Sequence, residues 1–221
     1  MNKQIIFITA TNTDIGKTYA TKQLIKALSD QGKRVGVIKP IETGVEDLPV
    51  DAYELFEYAK KFNEDLENLT LEDVCPYQFK LPAAPYVAKG HEDIEIDIIK
   101  IALEKIQKHC DIVLMEGAGG IMVPICEGFF IIDLIEIFAD SVLLVVPSRL
   151  GSINDTLLNI EVLGQKKIPL TWAVNLYEDK NSFPKITEPF YKDYFKKYYT
   201  LQDDIDAIAT ELSNPTIKEP F

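Results

Sequence analysis

Apolar positions along the chain alternate between two rhythms. Gln4–Thr9 (QIIFIT) is a short, nearly unbroken apolar run, the mark of a strand covered on both faces. Ala20, Leu24, Ile25 and Leu28 then recur at helical spacing, and Gly32 supplies a stop. Arg34–Lys39 (RVGVIK) returns to the strand rhythm and closes at Pro40. A strand, about a dozen helical residues and a second strand make a βαβ unit, which requires a parallel sheet. The alternation continues along the chain. Tyr53–Lys61 and Ile96–His109 read as helices, Asp111–Met115 (DIVLM) as a strand, and Ile131–Phe138 as a short helix. Ser141–Val146 (SVLLVV) is a strand, Ile153–Leu163 a helix and Leu170–Val174 (LTWAV) a strand. The pattern predicts at least five strands in one three-layer α/β domain spanning residues 1–221, with a mainly parallel central sheet flanked by helices. The aromatic run Phe190–Tyr199 reads as a packed helical stripe.

In such a fold, ligands lie beyond the carboxyl ends of the strands. Thr11–Thr18, Lys39–Gly44, Glu116–Gly120, Pro147–Asn154 and Asn175 all follow predicted strands, so they converge on one rim. The first of these loops ends in Gly16-Lys17-Thr18 and leads into an amphipathic helix, the setting of a phosphate cradle. Backbone N–H groups and the helix N-terminus would cup phosphates, Lys17 would add a point charge, and the Thr18 hydroxyl would hold Mg²⁺. The usual pattern G-x-x-x-x-G-K-[ST] has a glycine where this chain has Thr11. Glu116, read as lying just past its strand, is the metal-directed acid. Asp51, in a loop before its helix, is either a second metal ligand or that helix's cap. Lys39 ends its strand on the same rim as Lys17, where a second cation would neutralise charge during phosphoryl transfer.

Composition narrows the function. Lys and Arg number 23 against 35 Asp and Glu, a net charge of −12, and a field of that sign repels nucleic acid and anionic lipid. Two histidines leave little material for a histidine metal centre or a Ser-His-Asp triad. Three widely spaced cysteines form no zinc-binding or disulfide framework. Without a cleavable leader pattern or an apolar run of membrane length, the expected compartment is a reducing cytoplasm, with neither nucleic acid nor membrane as partner.

Taken together, "TATNTDIGKT", "KPIETG", "VLMEGAGGIMVP", "RLGSIN" and Asn175 in "AVNLY" resemble the dethiobiotin synthetases, in that family's order across roughly residues 5–175. The resemblance implies a Mg²⁺- and ATP-dependent ligase of biotin synthesis. In that reaction 7,8-diaminopelargonic acid takes up CO₂ as a carbamate, which is phosphorylated and closed to a ureido ring. It further implies that Asp14, Ile15, Gly16, Lys17, Thr18 and Tyr19 bind the triphosphate, with Asp51, Glu116, Gly117, Ala118, Gly119 and Asn175 completing the nucleotide site. Thr18, Asp51 and Glu116 would surround Mg²⁺. Lys39 would be the catalytic lysine, assisted by Lys17 and by Thr11, whose side chain would face substrate. Thr43, Gly120 and Val123 would also contact substrate.

The same resemblance implies a homodimer in which Gly151, Ser152 and Asn154 of one subunit hold the substrate's distal carboxylate in the other. A tyrosine would assist, Tyr191 or Tyr194, with Tyr191 preferred. The G-E-[ILV]-P segment that precedes base-contacting residues in the family is absent after Asn175, which leaves ATP, GTP and other triphosphates open. A rival reading is a P-loop switch or partitioning ATPase. Those carry K-G-G-x-G-K-[ST], whereas the stretch here, Asn12 to Ile15, has no lysine.

Overall fold

The computed structural model describes residues 3–177 and 179–216. In chain order the first half runs β1 (Gln4–Ala10), α1 (Lys17–Asp30), β2 (Val35–Ile38), β3 (Ile41–Thr43), α2 (Val50–Lys60), α3 (Leu71–Val74), β4 (Tyr77–Phe79), α4 (Pro85–Ala88) and α5 (Ile96–Gln107). There follow β5 (Ile112–Gly120), β6 (Pro124–Cys126), β7 (Phe129–Phe130), α6 (Ile131–Phe138), β8 (Ser141–Pro147) and α7 (Ser152–Gly164). The remainder is β9 (Leu170–Asn175), α8 (Phe183–Ile186), α9 (Glu188–Tyr194), β10 (Tyr199–Thr200) and α10 (Ile205–Ser213).

Six strands form one sheet in the order β10-β9-β8-β1-β5-β2, and every pairing within it is parallel. Its two faces bury separate cores, as the unbroken apolar runs require. Phe7 of β1 packs on one side with Ile99, Ile132, Ile160 and Tyr191. Ile6 and Ile8 pack on the other with Leu24, Leu28, Leu55 and Ile208. Helices α5, α6, α7 and α9 therefore cover one face, and α1, α2 and α10 the other. The chain leaves β1 toward β2 and, after β5, crosses to β8 on the opposite side of β1. The connections diverge around β1, and its carboxyl end is the crevice where such sheets bind ligands.

Several boundaries differ from the sequence expectation. β5 runs on through residues 116–120, so Glu116 lies within the strand and not in a loop after it. Ile8 pairs with Glu116 but Ala10 pairs with Gly120, so β5 takes four steps where β1 takes two. That bulge is made by the glycines. α2 begins at Val50, not Tyr53, with Asp51 in its first turn. Two small sheets were not expected: β3 pairs in parallel with β4, and β6 pairs antiparallel with β7. The acidic stretch after residue 203 contains α10, which buries Ile208, Ala209 and Leu212. The aromatic run is helical only as far as Tyr194, and Tyr199 belongs to β10.

Candidate active site at the head of β1

The loop between β1 and α1 is shaped by two residues in left-handed backbone, Asp14 (φ 59°) and Gly16 (φ 98°). Gly16 precedes α1 as its cap residue and offers no side chain, so the first amides of that helix stay available to an anion. Glycine is required there twice over. The φ value disfavours any L side chain, and a Cβ would press into the Asn175 amide. Lys17 follows, 8% exposed, its Nζ donating to the Asn12 carbonyl at 3.2 Å. Burial first, then the neighbouring Lys39, lower its pKa to about 8, against the pull of Glu116, Asp51 and Asp14.

Glu116 is the hub of the site and is fully buried. Its Oε1 accepts from Thr18 Oγ1 at 3.0 Å and from Lys39 Nζ at 2.8 Å. Its Oε2 accepts from Thr21 Oγ1 at 2.7 Å. Lys39 also meets Asp51 Oδ2 at 3.3 Å. Burial acts hardest on Lys39 and pulls its pKa down, but Glu116 and Asp51 together outweigh it and hold the ammonium well above the usual lysine range. Glu116 and Asp51 thus flank one ammonium and Thr18 bonds to Glu116, a set of oxygen groups of the type suited to a hard divalent cation. Among the described residues no group of three or more His, Cys, Asp or Glu is placed to hold a metal. The set fits a cation that keeps waters and shares its ligands with phosphate, as Mg²⁺ does.

Lys17, Thr18, Lys39 and Asp51 line a cleft of about 1000 Å³, whereas Glu116 is fully buried and is not among its lining residues. Of the residues singled out from the sequence, Asp14, Gly16, Lys17, Thr18, Tyr19, Lys39, Thr43, Asp51, Ala118, Gly119, Val123 and Asn175 line it. Ile15 is buried behind the loop, where its carbonyl accepts from Asn175 Nδ2 at 2.9 Å. Thr11 Oγ1 is buried and has no hydrogen-bond partner among the described residues. Gly117 packs against Phe7, and Gly120 sits where a Cβ would meet the Thr11 carbonyl at 3.1 Å, so both serve close approach of β5 to β1.

Gly151, Ser152, Asn154 and Tyr191 are not part of the cleft lining. Ser152 opens α7, and the buried Tyr191 hydroxyl lies 2.8 Å from Thr156 Oγ1 and 3.4 Å from Ser152 Oγ, beneath that helix's first turn. Tyr194 is 48% exposed.

The lining also holds residues beyond those singled out from the sequence. Glu42, buried on β3, accepts from the Asp51 and Ala52 backbone N–H groups at 3.1 and 2.9 Å, which caps α2 and sets Asp51 beside Lys39. Its place in "KPIETG" was the available signal. Residues 82–85 close the Thr43 side, and Tyr177 and Gln202 close the Asn175 side.

Comparison with known proteins is consistent with this architecture. Residues 4–188 match the family model described as an AAA domain. An ATP-dependent dethiobiotin synthetase from Sulfurovum sp. (strain NBC37-1) is 47% identical over 94% of this chain and 99% of its own length. The chain belongs to the dethiobiotin synthetase family. A second dethiobiotin synthetase, from Wolinella succinogenes, is 35% identical over 94% of this chain and 97% of its own. Among solved structures, a plasmid partition protein from Borrelia burgdorferi superposes with a TM-score of 0.57 at 14% identity, covering 97% of both chains. The MinC:MinD complex of Aquifex aeolicus gives 0.56 at 17% identity over 98% of both chains. At those identities the likeness is one of fold.

Proposed function

We propose that the chain is an ATP-dependent dethiobiotin synthetase, a cyclo-ligase that joins CO₂ to the two amines of 7,8-diaminopelargonic acid. The observation that carries this reading is the meeting of two lysines, Lys17 at the head of α1 and Lys39 just after β2, in one cleft. They are near enough that the charge on Lys39 depresses the pKa of Lys17. The sequence relatives support the same assignment.

The triphosphate lies along residues 14–19, with its terminal phosphoryl group between Lys17 and Lys39. One amine of the substrate adds to CO₂ and loses a proton, giving a carbamate beside Lys39. Its oxygen attacks the γ-phosphorus, the nucleoside diphosphate leaves, and a carbamic–phosphoric anhydride remains. The second amine then attacks the carbonyl carbon, the ring closes and phosphate departs. Lys17 and Lys39 orient the anions and stabilise the charge that spreads over the transferred group, which is the main catalytic device in phosphoryl transfer. Thr18, Asp51 and Glu116 would hold Mg²⁺, whose positive charge draws electron density from the phosphoryl oxygens. Thr43 lines the cleft and the buried Thr11 hydroxyl has no partner among the described residues, which supports the reading that both contact carbamate or diamine.

The helix N-terminus at residues 151–154 lies outside the cleft lining of its own chain. It is proposed to serve the partner subunit of a homodimer, binding the distal carboxylate at the positive end of α7, with Tyr191 steadying Ser152 from below. The proposed compartment is the cytoplasm, where nucleoside triphosphates are maintained. The test is reconstitution from protein, ATP, Mg²⁺, bicarbonate and the diamine, with mass spectrometric detection of a cyclic urea. Omitting any one component is expected to abolish the product. ATP hydrolysis stimulated by DNA, with no product from the diamine, would sink the assignment in favour of a partitioning ATPase.

A further inference from the structure

At the end of the cleft away from Thr43, two side-chain amides run in series between two backbone groups. The Leu176 N–H donates to Gln202 Oε1 at 3.1 Å. Gln202 Nε2 donates to Asn175 Oδ1 at 2.8 Å, and Asn175 Nδ2 donates to the Ile15 carbonyl at 2.9 Å. A backbone N–H only donates and a backbone carbonyl only accepts. The orientation of both amides is therefore fixed from both ends, because turning either one over would set like against like at two contacts. β10 brings Gln202 into place: Leu201 N–H donates to the Val174 carbonyl at 2.9 Å, so residue 202 arrives beside the end of β9. Asn175 is 5% exposed, whereas Gln202 is exposed and lines the cleft with Leu176 and Tyr177.

We propose that Gln202 is a positioning residue that sets nucleotide selectivity by fixing which way round the Asn175 amide faces. The inference rests on the triphosphate lying at residues 14–19, which puts the nucleoside toward Asn175. With one hydrogen bond already made on each side, Asn175 keeps a spare lone pair on Oδ1 and a spare proton on Nδ2. An acceptor beside a donor matches the exocyclic amine and ring nitrogen of a 6-aminopurine. A 6-oxopurine presents two acceptors to the same pair and meets Oδ1 with a repulsive contact. The chain thereby discriminates for ATP over GTP although the G-E-[ILV]-P segment is absent, and Gln202 also steadies the phosphate loop through the Ile15 carbonyl.

Gln202→Glu is nearly isosteric and provides two acceptors. One still receives the Leu176 N–H, while the other faces Asn175 Oδ1 and turns that amide over. Gln202→Met removes the relay without imposing a new direction. Steady-state kinetics of the wild type and both variants with ATP and with GTP form the test, with thermal unfolding run alongside. The wild type is expected to prefer ATP. In Gln202→Glu the ATP-to-GTP ratio of kcat/KM should fall by about tenfold or more, mainly through the KM for ATP. Gln202→Met should fall between the two.

A ratio unchanged in both variants overturns the proposal. So does a wild type that uses both nucleotides alike, or an equal loss of kcat with both nucleotides, which marks general damage. The side chain is exposed, so both variants should unfold close to the wild-type temperature, and a loss of folding in both would show a structural role instead. Failure of the wild type to bind any nucleoside triphosphate would defeat the underlying assignment and not the role of Gln202.

Discussion

Lys39 and Glu116 form an ion pair whose side chains are 4% and 0% exposed, so function and stability meet in the same two residues. Removing one partner leaves the other charged and buried, which costs about 3–5 kcal/mol. Lys39→Ala should therefore lower the urea midpoint as well as turnover, the latter by about 10²–10³. The double variant Lys39→Met/Glu116→Gln should recover most of the stability and none of the activity, because it removes both buried charges together with the chemistry. Equal stability of Lys39→Ala and the wild type would argue against a pair held out of solvent. Lys17→Ala should lose turnover by a similar factor of about 10²–10³.

Lys17 gives a separate, pH-dependent signature. Its pKa is lowered to about 8 from the ordinary 10.5, so the free amine predominates at about pH 9. A bound triphosphate favours the ammonium and restores the higher value. Nucleotide binding should then take up close to one proton at about pH 9 and almost none at about pH 6.5. Calorimetry in two buffers of different ionisation enthalpy measures that difference. Lys39 does not compete for this signal, because its pKa is raised and it stays charged across the same window.

At the scale of elements, the small β3–β4 pair and α2 act as a bracket that delivers Asp51 to Lys39. Glu42 joins them by accepting two amides at the start of α2, where Pro49 precedes the helix without a side-chain cap. Glu42→Ala should cost about 1–2 kcal/mol by urea unfolding, a capping loss, and should raise the Mg²⁺ concentration needed for half-maximal rate. Glu42→Gln, which keeps an acceptor, should do less of both.

The long elements were legible because each alternates with its neighbours in apolar rhythm. Ile131–Phe138 was read with the bounds it has, and the strands at 141 and 170 were each one residue short. What escaped lies where tertiary pairing overrides local pattern. Three glycines and an alanine, residues 117–120, form the far end of β5, and they stay in the strand because β1 lies alongside. β3 and β10 are three and two residues long, too short to announce themselves. The phosphate loop, Lys39 and Glu116 were legible as chemistry in a set order. Glu42 and Gln202 were not, since their roles come from hydrogen bonds across 10 and 27 positions.

For the whole molecule, an excess of acids surrounds a site that must gather anions: −12 overall, with two ammonium groups in one cleft. Capture is thus local, and the long-range field opposes it. The proposed homodimer gives a test independent of crystal contacts. Lys39→Ala disables a site in its own chain, and Asn154→Asp sets a negative charge on the helix end offered to the neighbour's site. Each variant alone should be nearly inactive at low diamine. Subunits mixed and allowed to exchange should recover about a quarter of wild-type activity, since half the dimers are mixed and each holds one intact site. No recovery on exchange would place both residues in the same subunit's site.

The ammonium of Lys39, clasped between Glu116 and Asp51, behaves as an interlock. Two of its three protons are taken by carboxylates, so in the proposed mechanism a phosphoryl oxygen would take the third, and a divalent cation arriving with it would compensate the two acids. Nucleotide and divalent ion then succeed or fail as a unit. A triphosphate without the metal would meet two uncompensated acids, and the proposed mechanism then disfavours idle turnover.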